Sequence, residues 1–269
     1  MDTIAIPKIQ HFLFYLLIMV SAFTTNLASA ALIFSEGFET DGNGTRYVTS
    51  ISEFSDGSSD FFTRTNGSNI STNYQVNGYE GDYFFTAQDI DGEGAQALQN
   101  LVFEDIDISL FSNLIFNVDI AEDDDGSSQD WDAQDFVSFA YQIDNGGYTD
   151  FLAFEAQTSS GSNFEPAIDT NYDGIGDGQA LSSDFQTFTT SIIGKGTLLD
   201  IQITFSLNSG DEDIAIDNLN LTGTTISNTV AVSAPPTFVI MLLSLLGLIA
   251  CNSSVTTTYK KKLSPAKEQ

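Results

Sequence analysis

One histidine, one cysteine, one tryptophan and eight basic residues stand against 37 acids in this chain of 269 residues. The lone histidine, His11, falls in an N-terminal apolar stretch, and the lone cysteine, Cys251, falls in a C-terminal one. The segment between them, which has to build the fold, therefore offers neither imidazole nor thiol. That excludes Ser-His-Asp and Cys-His nucleophilic sites, histidine acid–base chemistry, disulfides, and zinc sites made of histidine or cysteine. The shortage of positive charge excludes a second class. All acids except Asp2 and Glu268 lie within 31–223, whereas Arg46, Arg64 and Lys195 are the basic residues there. A direct nucleic-acid partner needs the opposite sign. So acidic a body repels itself, and bound divalent cations or high external salt would relieve it.

The two ends read as addresses. Lys8, the apolar run Phe12 to Val20, and the small-residue site Ala28-Ser29-Ala30 predict a secretory signal peptide over 1–30, cleaved before Ala31. At the other end, a linker over 224–234 leads to a hydrophobic sorting or anchor helix over 235–255 and a basic cytoplasmic tail over 256–269. As a helix the apolar core spans ~21–27 Å, marginal for a hydrocarbon layer of about 30 Å. Lys260, Lys261 and Lys262 belong on the cytoplasmic side, which puts the acidic body outside.

Val232-Ser233-Ala234-Pro235-Pro236, the Leu/Gly-rich run Phe238 to Cys251, and the lysine cluster resemble the PEP-CTERM sorting tail of Gram-negative bacteria. The chain departs from that pattern in lacking the motif's glutamate, in carrying lysine for arginine, and in extending past the lysines. The resemblance implies an exosortase-like envelope sorting transpeptidase as a partner, and a protein exported to the outer cell envelope and held in the membrane by its C-terminal helix.

Between the ends the signal is strand. Leu199, Ile201, Ile203, Phe205 and Leu207 alternate with polar residues, as do Val137, Phe139, Tyr141, Ile143 and Leu114, Phe116, Val118, Ile120. Period-2 patterning with one polar face marks half-buried antiparallel strands. About ten such runs are predicted, near 31–35, 47–52, 82–87, 97–103, 114–120, 136–143, 148–155, 185–193, 199–207 and 213–221. Asp144-Asn145-Gly146-Gly147 reads as a hairpin turn. No segment carries a helical period, so the expected class is all-β: an antiparallel, jelly-roll-like β-sandwich over 31–223. In the last run Ile214 and Ile216 share one phase while Leu219 and Leu221 share the other. A β-bulge at Asp217-Asn218 repairs that slip and aims Asp217 at something specific.

Phe34-Ser35-Glu36-Gly37-Phe38-Glu39, Asp135-Phe136-Val137 through Tyr148, and Ile216-Asp217-Asn218-Leu219 resemble, in that order, segments of MAM-like and carbohydrate-binding-module-like jelly rolls. The resemblance implies a structural calcium joining a first-strand acid, a mid-domain acidic turn and the last-strand aspartate. Carried over, these are Glu36 or Glu39, Asp89 or Asp91, and Asp217.

Several acidic motifs stand on their own spacing. Asp169-Thr170-Asn171-Tyr172-Asp173-Gly174-Ile175-Gly176-Asp177 places oxygen ligands as an EF-type loop does, with Asp169, Asn171, Asp173 and Asp177 as side-chain donors and the Ile175 carbonyl between them. Ala180 stands where the closing glutamate would be, so the loop resembles thrombospondin type 3 and dockerin loops more than an EF-hand. A calcium loop and a solvated Asp/Asn/Gly turn both account for it. Asp89-Ile90-Asp91-Gly92-Glu93 and Glu122-Asp123-Asp124-Asp125 carry the same pair of readings. Asp211-Glu212-Asp213 reads as an edge cap. Trp131, between Asp130 and Asp132, is either a sugar-stacking platform with acids for the hydroxyls or part of the core.

The function these features predict is a non-catalytic, calcium-stabilised β-sandwich at the cell envelope, with extracellular polysaccharide or another matrix component as partner. An adhesin-type module shares every feature. A carboxylate glycoside hydrolase is the enzymatic alternative, and it needs two acids about 5–9 Å apart on a concave face.

Overall fold

The computed structural model describes residues 30–92, 94–123 and 131–226. The predicted export signal up to residue 29 and the predicted sorting tail from 227 onward lie outside the described residues, as do Glu93, Asp124, Asp125 and Asp130. There is no helix among the described residues, and so none able to cross a membrane. The body is a β-sandwich in which every pairing between named strands is antiparallel.

One sheet holds seven strands: β1 (Ala30–Glu36), β3 (Phe54–Ser55), β4 (Phe61–Thr65), β5 (Phe84–Gln88), β7 (Phe111–Ala121), β11 (Gln186–Ile192) and β13 (Asp213–Thr225). Their order is β11-β7-β13-β5-β4-β3, with β1 also on β13. The other sheet holds six: β2 (Val48–Thr49), β6 (Gln99–Asp107), β8 (Phe136–Ile143), β9 (Thr149–Ala156), β10 (Pro166–Ile168) and β12 (Leu198–Ser206), in the order β10-β9-β8-β12-β6-β2.

All ten predicted runs are strands, and three more were not foreseen. β4 is buried at four of its five positions, on both faces, so it shows no period-2 pattern. β10 opens on Pro166 and lies at a sheet edge, where proline is tolerated. β3 is only two residues long. β13 continues to Thr225, two residues past the predicted end of the body, because Thr224 and Thr225 still pair with Ser112 and Phe111.

The core lies between the sheets. Leu199, Ile201, Ile203 and Phe205 of β12 face Phe62, Phe85, Phe116 and their neighbours. Aromatic edges lock the layers together: Phe62 meets Phe205 at 5.3 Å and Phe154 meets Phe188 at 4.8 Å, while Phe62 also meets Phe85 of its own sheet at 5.0 Å. Such contacts add about 0.5–1.5 kcal/mol each beyond burial. Outside the seven-stranded sheet, Tyr74, Val76, Tyr79 and Phe185 cover Phe84, Ala121 and Ala215. The outer face of the six-stranded sheet is mostly polar, carrying half-buried Asn100, Ser138, Gln142, Gln202 and Thr204.

First and last strands lie side by side, with Phe34 opposite Leu221 and Glu36 opposite Leu219. The bulge in β13 is where its hydrophobic phase slips. Against β7, Asp217 faces Asp119, but Asn220 faces Asn117, and Asn218 takes φ 49°. The extra residue lets Ile214, Ile216, Leu219 and Leu221 all enter one core.

Candidate functional site

The polar face of the six-stranded sheet carries a groove of about 560 Å³. Its floor comes from Phe136 and Ser138 of β8, Ala153 and Glu155 of β9, and Thr204 of β12, with Asp150 at one margin. These side chains share the outward face because Ser138 pairs with both Ala153 and Thr204, and Phe136 pairs with Glu155. Beyond the floor the face continues polar: Thr204 donates to Asn100 Oδ1 at 2.9 Å, and Gln142 Nε2 donates to Asp200 at 2.8 Å.

The wall is the 169–178 loop. Its backbone returns onto the sheet edge through Asp169 N–H to Ala153 O at 2.9 Å and Gly176 N–H to Ala156 O at 3.0 Å. A Cβ at Gly176 would lie 2.4 Å from the Glu155 carbonyl oxygen, so glycine is required there for packing. Asp169 turns its carboxylate inward. Oδ1 accepts from the N–H groups of Asn171 (3.1 Å) and Tyr172 (2.7 Å), and Oδ2 from that of Gly174 (2.9 Å). Asp177 accepts from the Thr170 N–H at 2.9 Å and from its hydroxyl at 2.7 Å, while Asn171 Oδ1 accepts from Asp173 N–H at 3.0 Å. Ile175 is half-buried, and Asp173 and Asp177 are exposed. The carboxylates of Asp169 and Asp177 thus organise the turn's own N–H groups.

What the loop presents to the groove is Tyr172, 51% exposed, with Asp173 and Gly174 beside it. Tyr172 takes φ 59°, in the left-handed region. On the floor, burial pushes the Glu155 carboxyl up to about 7, reinforced by the charge of Asp169. The groove therefore combines an exposed aromatic ring with carboxyl and hydroxyl groups.

The calcium set implied by the jelly-roll resemblance does not assemble. Glu36 is spent on Phe38 N–H (2.7 Å) and on an ion pair with Arg46 (2.6 Å). Glu39 accepts from the N–H groups of Asp82 and Tyr83 at 3.0 Å, and Gly81 packs so closely on its carboxylate that a Cβ would clash. Asp217, aimed by the bulge, accepts from Glu80 N–H and from Asn218 N–H, each at 2.7 Å. Glu39 and Asp217 hold the 80–83 turn onto the sandwich. Asp89 and Asp91 sit elsewhere, beside Asp60, and burial followed by the charge of Asp60 lifts Asp89 to about 6.

Trp131 is also corrected. It is fully buried, and its indole N–H donates to Asp213 O at 3.1 Å, so it offers no face to a sugar. Its neighbour Asp132 has a different role. Among the described residues, Asp132, Asp135 and Glu212 form a trio whose carboxylate oxygens lie within 4.8 Å of one another. Asp135 and Glu212 are buried. Asp135 accepts from Asp132 N–H and from Asn208 Nδ2 (3.3 Å), and Glu212 accepts from Asn208 N–H at 2.5 Å. Burial raises both carboxyls, and the charge of Glu212 raises Asp135 further. No described cationic side chain offsets them: Arg46 and Arg64 are committed to backbone carbonyls of 35–39, and Lys195 is exposed in a loop. A polar recess of about 300 Å³, lined by Ser162, Asn163 and Asp211, opens beside Asp132 and Glu212. A hard divalent cation suits such an all-oxygen set. Asp135 and Glu212 lie 77 positions apart, which is why spacing did not join them.

No protein-family model matches the chain, and no curated protein matches it. Among solved structures, it is similar to the CBM22-1 xylan-binding domain from Paenibacillus barcinonensis, with TM-score 0.40 and 8% identity over 74% of this chain and 98% of that one. It is similar also to the Stig cyclase Fisc from Fischerella sp. TAU, with TM-score 0.42 and 16% identity over 74% of this chain and 100% of that one. A third is the K1 cleaved adhesin domain of Lys-gingipain from Porphyromonas gingivalis, with TM-score 0.38 and 14% identity over 73% and 99%. At these identities and scores, the site has to be read from its own geometry.

Proposed function

We propose that this protein is an exported, non-catalytic binding module of the cell envelope that takes extracellular polysaccharide in the groove of the six-stranded sheet. The observation that carries this is Tyr172 standing exposed over a floor of Ser138, Thr204 and Glu155 and flanked by Asp150 and Asp173. Sugars stack an apolar face on an aromatic ring and give their hydroxyls to carboxylates, and preformed concave sites of this kind hold ligands with few polar anchors. The trio Asp132, Asp135 and Glu212 is read as a structural calcium site outside the groove lining, with Asp135 just before the floor residue Phe136 in the chain. The export signal and the sorting tail, with an exosortase-like partner, supply the route to the surface and the membrane hold.

The test is affinity electrophoresis of the full chain through gels containing a panel of matrix polysaccharides. Retardation by at least one polymer, lost in Tyr172→Ala, is expected. Retardation by none, or retardation unchanged in Tyr172→Ala, refutes the groove as a glycan site.

One observation favours a second reading. A carboxyl titrating at about 7 on a groove floor is the kind of group a glycoside hydrolase uses as its acid. Against it, both oxygens of the neighbouring Asp169 are spent on backbone N–H groups. Release of reducing ends from a retarding polymer, abolished by Glu155→Gln, would establish the hydrolase.

A further inference from the structure

Of the large apolar side chains left exposed on the described body, six gather at one end of the sandwich: Leu32, Leu110, Tyr148, Ile193, Leu198 and Ile226. Ile193 is 80% exposed, Leu110 62% and Leu32 60%. Strand register and loop contacts bring them together. Ile226 N–H donates to Leu110 O at 2.7 Å, and Ile108 N–H to Thr197 O at 2.9 Å. The Asp144 carboxylate accepts from Thr197 N–H (3.0 Å) and Leu198 N–H (2.9 Å), which ties the 144–148 turn to the 193–197 loop. Ile192 pairs with Leu114 and Leu32 with Thr222, so Ile193 and β1 reach the same end. Ile193 sits at a loop tip just before Gly194-Lys195-Gly196, where no core contact calls for an isoleucine. This end also carries the exposed Asp107, which pairs with Leu198, and Asp144, while the opposite end carries the acidic trio and the 89–92 turn.

The chain leaves the body within this apolar end. Ile226 is the last described residue, and the sequence after it leads to the apolar run 238–251 and the lysines at 260–262. We propose that this end of the sandwich is a membrane-contact face, its exposed aliphatic side chains seated in the interfacial layer of the bilayer that receives the tail. This rests on the tail being a membrane anchor. With the anchor in place the patch needs little affinity of its own, since tethering makes its contact intramolecular. The charge of −29 argues for a zwitterionic surface over an anionic one. Seated this way, the body turns its acidic end away from the membrane.

The test uses the full chain in phosphatidylcholine vesicles with or without brominated phosphatidylcholine, which quenches tryptophan held at the acyl boundary. Native Trp131 is buried at the far end and gives a constant background. Ile193→Trp and Leu110→Trp should lose about twofold of their added emission in brominated vesicles, and Leu98→Trp, exposed near the far end, should lose none. A chain that fails to float with vesicles removes the anchor and the proposal with it. A chain that floats with no quenching at Ile193→Trp and Leu110→Trp keeps the anchor and overturns the face. Equal quenching at Leu98→Trp also overturns it. So does an unquenched Ile193→Trp whose emission is blue-shifted in a chain sedimenting at twice the monomer mass, which assigns the patch to a second copy.

Discussion

Asp217 is a buried carboxylate whose hydrogen-bond partners are backbone N–H groups. Its two oxygens accept backbone N–H groups from Glu80 and Asn218, yet burial pushes it up to about 7, with Asp119 and Glu39 adding repulsion. Asp217→Asn keeps an acceptor for the Glu80 N–H and removes the charge, so it should unfold at an equal or higher midpoint at pH 8. Asp217→Ala leaves that N–H unpaired and should lower stability by about 1–3 kcal/mol in urea titration. Equal loss in both variants would mean the negative charge itself is needed, as for a metal ligand. The phase slip in the sequence located this residue and its bulge. It did not name the partner, because Glu80 lies 137 positions away and no local pattern encodes that contact. Trp131 shows the converse. Its acidic neighbours suggested a surface loop, but a side chain of that size with one N–H to satisfy was worth more in the core, where Asp213 O receives it.

Strands were legible where one face is wet. β12 runs exposed, buried, half-buried and onward in strict alternation, as its sequence spells out. β4 is buried on both faces, and β10 and β3 are too short to carry a period, so the pattern had nothing to show. The 169–178 motif was legible as a loop but ambiguous in purpose, since glycines and aspartates serve a turn as well as an ion. The decisive fact is tertiary: Gly176 is there because the loop lies on the backbone of β9. The bulge in β13 makes a sharper demand on its own residue. Asn218 sits at φ 49°, where asparagine and glycine are tolerated and β-branched residues are strained. Asn218→Gly keeps the backbone conformation but loses the bond donated to Asp119 Oδ2 (2.9 Å) and the one accepted from Asn220 Nδ2 (2.7 Å), so it should cost about 1 kcal/mol. Asn218→Val, which adds backbone strain, should lower stability by about 1–3 kcal/mol more. If valine is tolerated, the extra residue of β13 is accommodated elsewhere.

For the whole molecule, charge is the dominant variable, and composition announced it before any strand was placed. Glu155 and Asp217 are raised to about 7 and Asp89 to about 6. A carboxyl raised on folding keeps its proton in the native state after the unfolded chain has released it, so its stabilising share is complete below about pH 4 and is lost as pH climbs through 6 and 7. Without divalent ions the thermal midpoint should therefore fall steadily from pH 5 to pH 8. Proteins held mainly by salt-bridged carboxylates behave the opposite way. The proposed calcium would act on a separate group of acids. If Asp132, Asp135 and Glu212 bind it only when folded, calcium at a hundred times its dissociation constant adds about 2.7 kcal/mol, or roughly 5–10 °C for a body of this size. At pH 8 that rise should appear with calcium, vanish with chelator, and be absent in Asp135→Asn with Glu212→Gln, while Asp173→Ala keeps it. A rise that survives the paired substitution would move the ion away from this trio. No rise at any calcium concentration would leave the buried carboxyls protonated by their own surroundings, and the pH slope alone would then describe how the molecule carries its charge.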